Sequence, residues 1–129
     1  MQIYEPNKVI SAAPILVSRG QDTPRDEVVS SRRDFGNLDG YMIGGRRFQG
    51  VSPWERHPHQ DELLYVEDGE AELTVLLDEG KQTMTVRKGN LLVVPKGIWH
   101  KFDAKTTLSM WGATNVSSDE ISFAEDPRV

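Results

Sequence analysis

GEAELTVLLDEGKQTMTVRKG, residues 69–89, decides the fold class. Within it Leu73 and Val75, then Met84 and Val86, alternate with polar neighbours on either side of Asp78-Glu79-Gly80-Lys81. Side chains at every second position of an extended chain share one face, so two such runs around a polar, glycine-bearing break form a β-hairpin. Outward from this hairpin the chain repeats the pattern of short apolar runs cut by turn residues. Candidate strands fall at 8–18, 41–48, 63–67, 71–77, 83–87, 91–94, 99–103 and 107–114. No segment longer than two turns keeps a 3.6-residue apolar period, and the one place for a short helical turn is Thr23-Pro24. The pattern predicts an all-β sandwich or barrel.

At 129 residues the chain fits a single domain with one core. Hydrophobic residues at 37% and charged residues at 27% suit a globular protein rather than a disordered one. The net charge of −5 argues against general nucleic-acid binding, which needs an excess of lysine and arginine along the phosphate track. With no cysteine there is neither a disulfide nor thiolate chemistry, so a metal must take nitrogen and oxygen ligands, and the cytoplasm is the simplest compartment. VISAAPILV, residues 9–17, is flanked by Glu5 and Arg19 and broken by Pro14, which reads as a strand rather than a signal peptide. No run approaches the roughly 18 apolar residues of a membrane helix. Residues 20–40 are polar and long for a connection, which leaves two readings, a solvated loop or a pocket lid. The tail, 117–129, reads as a polar segment packed loosely on the surface.

Two of the three histidines stand in HPHQDE, residues 57–62. On a strand His57 and His59 point to the same face, so both rings reach one point. The third, His100, closes GNLLVVPKGIWH, where Gly89 opens an apolar strand and Pro95 and Gly97 turn the chain into the next. Arg46 and Arg47 are neighbours on a candidate strand, so alternation turns one of them inward, where it either clamps an anion or makes an ordinary ion pair.

These two histidine segments resemble the motifs of the cupins, small β-barrels that hold a metal in the barrel mouth. The first cupin motif, G-x5-H-x-H-x(3,4)-E-x6-G, is met at His57, His59, Glu62 and Gly69, and the second, G-x5-P-x-G-x2-H-x3-N, from Gly89 through Pro95 and Gly97 to His100. Three departures stand out. Six residues separate Gly50 from His57, only two separate His59 from Glu62, and Ala104 replaces the last asparagine. Because of the short spacing, Asp61 shares the parity of the histidines in a straight strand, whereas Glu62 needs a bulge near Gln60, so both carboxylates stay open as the fourth ligand.

The resemblance implies a single jelly-roll (double-stranded β-helix) cupin barrel over 1–129, with a core at 41–114 and the 8–18 strand packed on, or exchanged at, a homodimer interface. It also implies a divalent transition metal (Fe, Mn, Ni, Cu or Zn) on His57, His59, Glu62 and His100, with vacant positions for a small-molecule substrate. Tyr41, Ile43, Arg46, Trp54, Phe102 and Trp111 are candidate pocket residues. The function expected is that of a metal-dependent enzyme on a small organic molecule, foremost a dioxygenase and hence an oxidoreductase. Isomerase or lyase chemistry and a non-catalytic binding or sensing module are the alternatives, with no nucleic acid or membrane as partner. Ligating imidazoles must be neutral, so metal affinity is expected to fall below about pH 6.5.

Overall fold

The computed structural model describes residues 1–115 and 119–129. Among the described residues the expected all-β architecture is present as a curled ten-stranded sheet with two short helices. The hairpin that opened the sequence is β6 (Glu70–Leu77) with β7 (Gly80–Arg87), paired from Glu70↔Arg87 to Leu77↔Gly80. Before it, Gly69 turns the chain with φ +89, and a Cβ there would lie 2.3 Å from the Thr107 carbonyl oxygen. Only glycine satisfies both demands.

The long strand β9 (Trp99–Thr114) is the spine of the sheet. On one edge its first half pairs with β6, from Glu72↔Asp103 to Leu76↔Trp99. Its second half pairs there with β5 (Glu62–Asp68), from Leu63↔Ala113 to Asp68↔Ser109. The other edge carries β3 (Tyr41–Val51) and the short β4 (Trp54–Arg56). Separate strands at 99–103 and 107–114 were expected, and the gap between them marks where β9 exchanges β6 for β5. The strand continues through it because β3 follows, with a bulge between Phe48 and Gly50. β8 (Leu91–Val94) closes against β5, and β10 (Glu120–Ser122) adds to the free edge of β4.

Inward-facing side chains of these strands make the main core, which includes Phe48, Val66, Leu73, Val75, Phe102, Leu108 and Met110. Trp54, Leu76 and Trp99 form a smaller cluster. Truncating a residue such as Phe102 to alanine would cost about 3–5 kcal/mol.

The N-terminal third differs from the expectation. Residues 8–18 are not one strand, because Pro6 opens the helix α1 (Pro6–Ser11), which buries Ile10, and only β1 (Leu16–Val17) is extended, pairing parallel with β3 of the same chain. A short apolar run carries no period that separates helix from strand. Residues 20–40 are not one loop either. Pro24 caps the helix α2 (Arg25–Ser31), whose first turn carries Asp26 and Glu27, favourable at the positive end of the helix dipole. The charged β2 (Arg32–Leu38) follows and, among the described residues, pairs with β3 alone, which makes it an edge strand. Residues 117 and 118 of the tail lie outside the described residues; beyond them the tail is partly ordered, as β10 pairs with β4. Among the described residues no helix is long and apolar enough to cross a membrane.

Candidate metal centre

Three strands bring four side chains together. On β4 Glu55 is the register partner of His100 on β9. His57 follows Glu55 by two residues and so reaches the same side of the extended chain. Glu62 is the first residue of β5. One donor atom from each of Glu55, His57, Glu62 and His100 lies within 4.8 Å of all the others. His57 Nε2 is 2.9 Å from Glu55 Oε1 and 3.2 Å from Glu62 Oε1, and His100 Nε2 is 3.1 Å from the same Glu62 oxygen. Both rings and Glu62 are buried.

The far side of each ring fixes its orientation. His57 Nδ1 donates to Asp119 Oδ1 at 2.6 Å, and His100 Nδ1 donates to the Ile98 carbonyl at 3.0 Å. A proton held on each Nδ1 leaves the Nε2 lone pair of the neutral ring aimed at Glu62, the arrangement in which a metal-binding histidine is supported by an outer acceptor. His57 Nε2 is moreover a buried nitrogen with no well-directed hydrogen bond. A bond to a cation would satisfy it.

Without a metal the cluster is an ion network. For His57 burial is the largest influence and pushes its pKa down, but Asp119, then Glu55 and Glu62, outweigh it and push the ring up to about 12. Burial likewise lowers the value of His100, and Glu62, with help from Glu55 and the Ile98 carbonyl, more than offsets it, so its pKa is raised. Burial would raise the pKa of Glu62, yet the two imidazoles bring it down to about 2.

Of the ligands expected from sequence, His57, Glu62 and His100 meet here and His59 does not. Strand β4 ends at Arg56 and the chain bends over 58–60, so alternation fails beyond His57 and His59 lies exposed. The same alternation run backwards from His57 finds Glu55. Asp61 is exposed and accepts a hydrogen bond from the Lys96 backbone N–H at 2.9 Å, which leaves Glu62 as the buried carboxylate. With Glu55 and His57 as the pair, four residues precede Glu62, which restores the spacing before the glutamate of the first cupin motif, although four residues rather than five then separate Gly50 from the pair. Asp119 escaped sequence reasoning because it lies 62 residues from His57 in a polar tail with no periodic signal.

The cluster opens through Glu55, Glu62 and His100 onto a cavity of about 130 Å³. Leu64, Phe48, Phe102 and Met110 supply apolar wall, and Arg19, Arg32 and Arg46 also border it. Of the pocket residues expected from sequence, Arg46, Phe102 and Trp111 border this cavity, whereas Tyr41, Ile43 and Trp54 do not. Tyr41 and Ile43 have the parity of Arg47, opposite to Arg46 on β3, and Trp54 alternates with Glu55 and packs on Leu76 and Trp99 instead. Arg47 donates to the Ala13 carbonyl at 2.5 Å and so ties down the N-terminal segment.

Comparison with known proteins agrees with this fold. Residues 48–110 match the family model of the cupin domain. Over 84 residues the chain is 34% identical to the acireductone dioxygenase of Schizosaccharomyces pombe, which covers 64% of this chain and 43% of that protein. The chain thus spans less than half the length of that relative. A cupin-2 domain containing protein from Shewanella frigidimarina superposes with a TM-score of 0.57 at 26% identity, over 65% of this chain and 78% of that one. Hydroquinone 1,2-dioxygenase from Sphingomonas sp. TTNP3 shares the fold, with a TM-score of 0.56 at 20% identity over 74% and 70% of the two chains.

Proposed function

Because this is a small cupin-domain protein, we propose that it is a metal-dependent enzyme of dioxygenase type acting on a small organic molecule, with Glu55, His57, Glu62 and His100 as its metal ligands. The observation that carries the proposal is the convergence of these four donors at the edge of a cavity, with the buried His57 Nε2 lacking a well-directed hydrogen bond. Two imidazoles and two carboxylates suit a divalent transition ion from Mn(II) to Zn(II), and a four-ligand set on a five- or six-coordinate ion leaves room for substrate. When bound, such an ion would supply Lewis acidity toward a substrate oxygen and, where redox-active, electron exchange with O₂.

The chain's own residues do the remaining work. Asp119 and the Ile98 carbonyl hold the Nδ1 protons, which keeps each Nε2 available and each ring fixed. Leu64, Phe102 and Met110 give the cavity an apolar wall that limits water beside the cluster. Oxygen chemistry is favoured by the names of the relatives, an acireductone dioxygenase and a hydroquinone dioxygenase.

The test is metal analysis of the purified protein, followed by anaerobic loading with Fe(II) and oxygen-uptake assays against catechols, keto acids and thiols. Stoichiometric metal with oxygen consumption on one substrate class is the expected result. Failure to retain any transition metal would overturn the proposal, and metal uptake without oxygen consumption on any substrate class would overturn the dioxygenase in favour of an isomerase, a lyase or a non-catalytic binding module.

A further inference from the structure

The cavity wall that faces the Glu/His cluster carries a charge arrangement that the cluster does not explain. Arg32 on β2 and Arg46 on β3 are register partners in an antiparallel pair, and both border the cavity, as does Arg19. Like charges directly opposite each other on neighbouring strands are destabilising. Among the described residues only one carboxylate lies within hydrogen-bond reach of the three guanidinium groups, Asp34, whose Oδ1 accepts from Arg32 Nε at 2.6 Å. Arg32 Nη2 is buried without a hydrogen-bond partner.

Arg46 is held by neutral acceptors. Its Nε donates to Ser31 Oγ at 3.1 Å and its Nη2 to the Val28 carbonyl at 3.0 Å, both on helix α2. These bonds fix the direction of the guanidinium but give it no carboxylate partner in direct contact; Glu55 and Asp34 offset its charge only through space. Burial, followed by the neighbouring Arg32 and Arg19, lowers the pKa of Arg46 to about 10, so the group stays cationic at neutral pH in spite of its neighbours. Gly44, also on the wall, makes space for the arrangement, because a Cβ there would stand 3.0 Å from Arg32 Nη2 and 2.5 Å from the Arg33 carbonyl oxygen.

Arg19, Arg32 and Arg46 border this side of the cavity with Asp34 as their one directly paired carboxylate among the described residues, so the wall carries a surplus of positive charge that an anion would neutralise. Guanidinium groups match the planar two-oxygen face of a carboxylate, and the unfilled Arg32 Nη2 supplies a donor already stripped of water.

We propose that Arg19, Arg32 and Arg46 form a carboxylate clamp, so that the substrate of this cavity is a small organic acid whose carboxylate docks on the arginines while its reacting end faces Glu55, Glu62 and His100. As an assignment of substrate class the clamp rests on the enzymatic role proposed above. As a binding site it stands without it, because Arg32 and Arg46 belong to the paired strands β2 and β3, which need no metal to form. Helix α2 and strand β2 are thereby given a task. They orient Arg46 and carry Arg32.

The experiment is calorimetric titration of the metal-free and the Zn(II)-loaded protein with malonate, with its neutral isostere malonamide and with inorganic phosphate, at low and high salt. Malonate is expected to bind both forms, more weakly as salt rises, and malonamide to bind neither. Arg32→Gln is expected to weaken malonate by about tenfold or more, the loss of a charge-assisted pair, and Arg32→Lys to restore part of it. Circular dichroism and the melting temperature of each variant establish that it folds, and Arg46→Lys serves as the second variant should Arg32→Gln fail to fold.

Equal binding of malonate and malonamide, or wild-type malonate affinity in folded Arg32→Gln, would overturn the clamp. Binding of phosphate without malonate would overturn the carboxylate assignment. The two proposals fail separately. Zn(II) uptake with no anion binding removes the clamp and leaves the metal centre, whereas malonate binding to a protein that takes up no metal removes the enzyme and leaves the clamp.

Discussion

Asp119 offers the sharpest probe of the centre because it would touch the metal only through His57. Its Oδ1 lies 2.6 Å from His57 Nδ1, a charge-assisted hydrogen bond, and its side chain is 20% exposed against 3% for His57. Asp119→Asn keeps an acceptor and removes the charge, whereas Asp119→Ala removes both. Outer partners of ligating histidines are typically worth 10–100-fold in metal affinity, or about 1.4–2.7 kcal/mol. After burial, which opposes it, the hydrogen bond from the ring to this aspartate is the largest single influence on the metal-free ring and favours its protonated form. We therefore expect Asp119→Ala to weaken Zn(II) binding by about 10–100-fold and Asp119→Asn by less, with the His57 titration moving to lower pH in both metal-free variants. Competition with a chromophoric chelator measures the first effect and proton NMR of the imidazole resonances the second. Wild-type Zn(II) affinity in both variants, with an unmoved His57 titration, would refute the reasoning.

Glu55→Gln is expected to reduce metal content far more than His59→Ala, which should leave it unchanged; metal analysis of the two purified variants decides between the residues. The metal-free network should stabilise the fold fully between about pH 4.5 and 6.5. That contribution declines as pH falls toward the value of about 2 held by Glu62, and as it rises from 6.5 toward about 12 for His57. Metal capture displaces the imidazole protons, so the rise in melting temperature on adding Zn(II) should be larger at pH 8 than at pH 6, and a rise of equal size at both would contradict it. Gly69→Ala should cost more than about 2 kcal/mol in urea denaturation, since it combines a left-handed backbone with a methyl against the Thr107 carbonyl.

The elements legible in the sequence were those whose burial alternates or whose ends are marked by turn residues. β6 followed from period two, because Leu73 and Val75 pack on the core while Glu72 and Thr74 do not; β7 buries only Val86 and was legible as the other arm of the hairpin, and β8 as an apolar run between Gly89 and Pro95. β2 was invisible because its RRDFGNL sequence buries little, and its extended form comes from hydrogen bonds to β3. The candidate site was legible to the same degree. His57 and His100 stood out by residue type, and Glu62 by its distance to Gly69. Glu55 obeys the alternation that suggested His59, but the strand that enforces it stops at Arg56, and nothing local in ERHPHQ marks that end except Pro58. Asp119 and Arg32 reach the site through tertiary pairing, which no periodicity encodes.

Strand β4 meets the spine of the sheet through a single registered pair, Glu55↔His100, while β10 grips its other edge through three, and Arg56 pairs with Glu120 in the same place. The segment that bears Glu55 and leads into His57 is thus fastened from outside by a short clasp. A protease nick, a bulky fusion or a binding protein that borrowed β10 as its own edge would unfasten Glu55 and withdraw Asp119 in one movement, while the hairpins behind kept their pairing. Loss of metal would then report on the clasp long before any spectroscopic sign of unfolding.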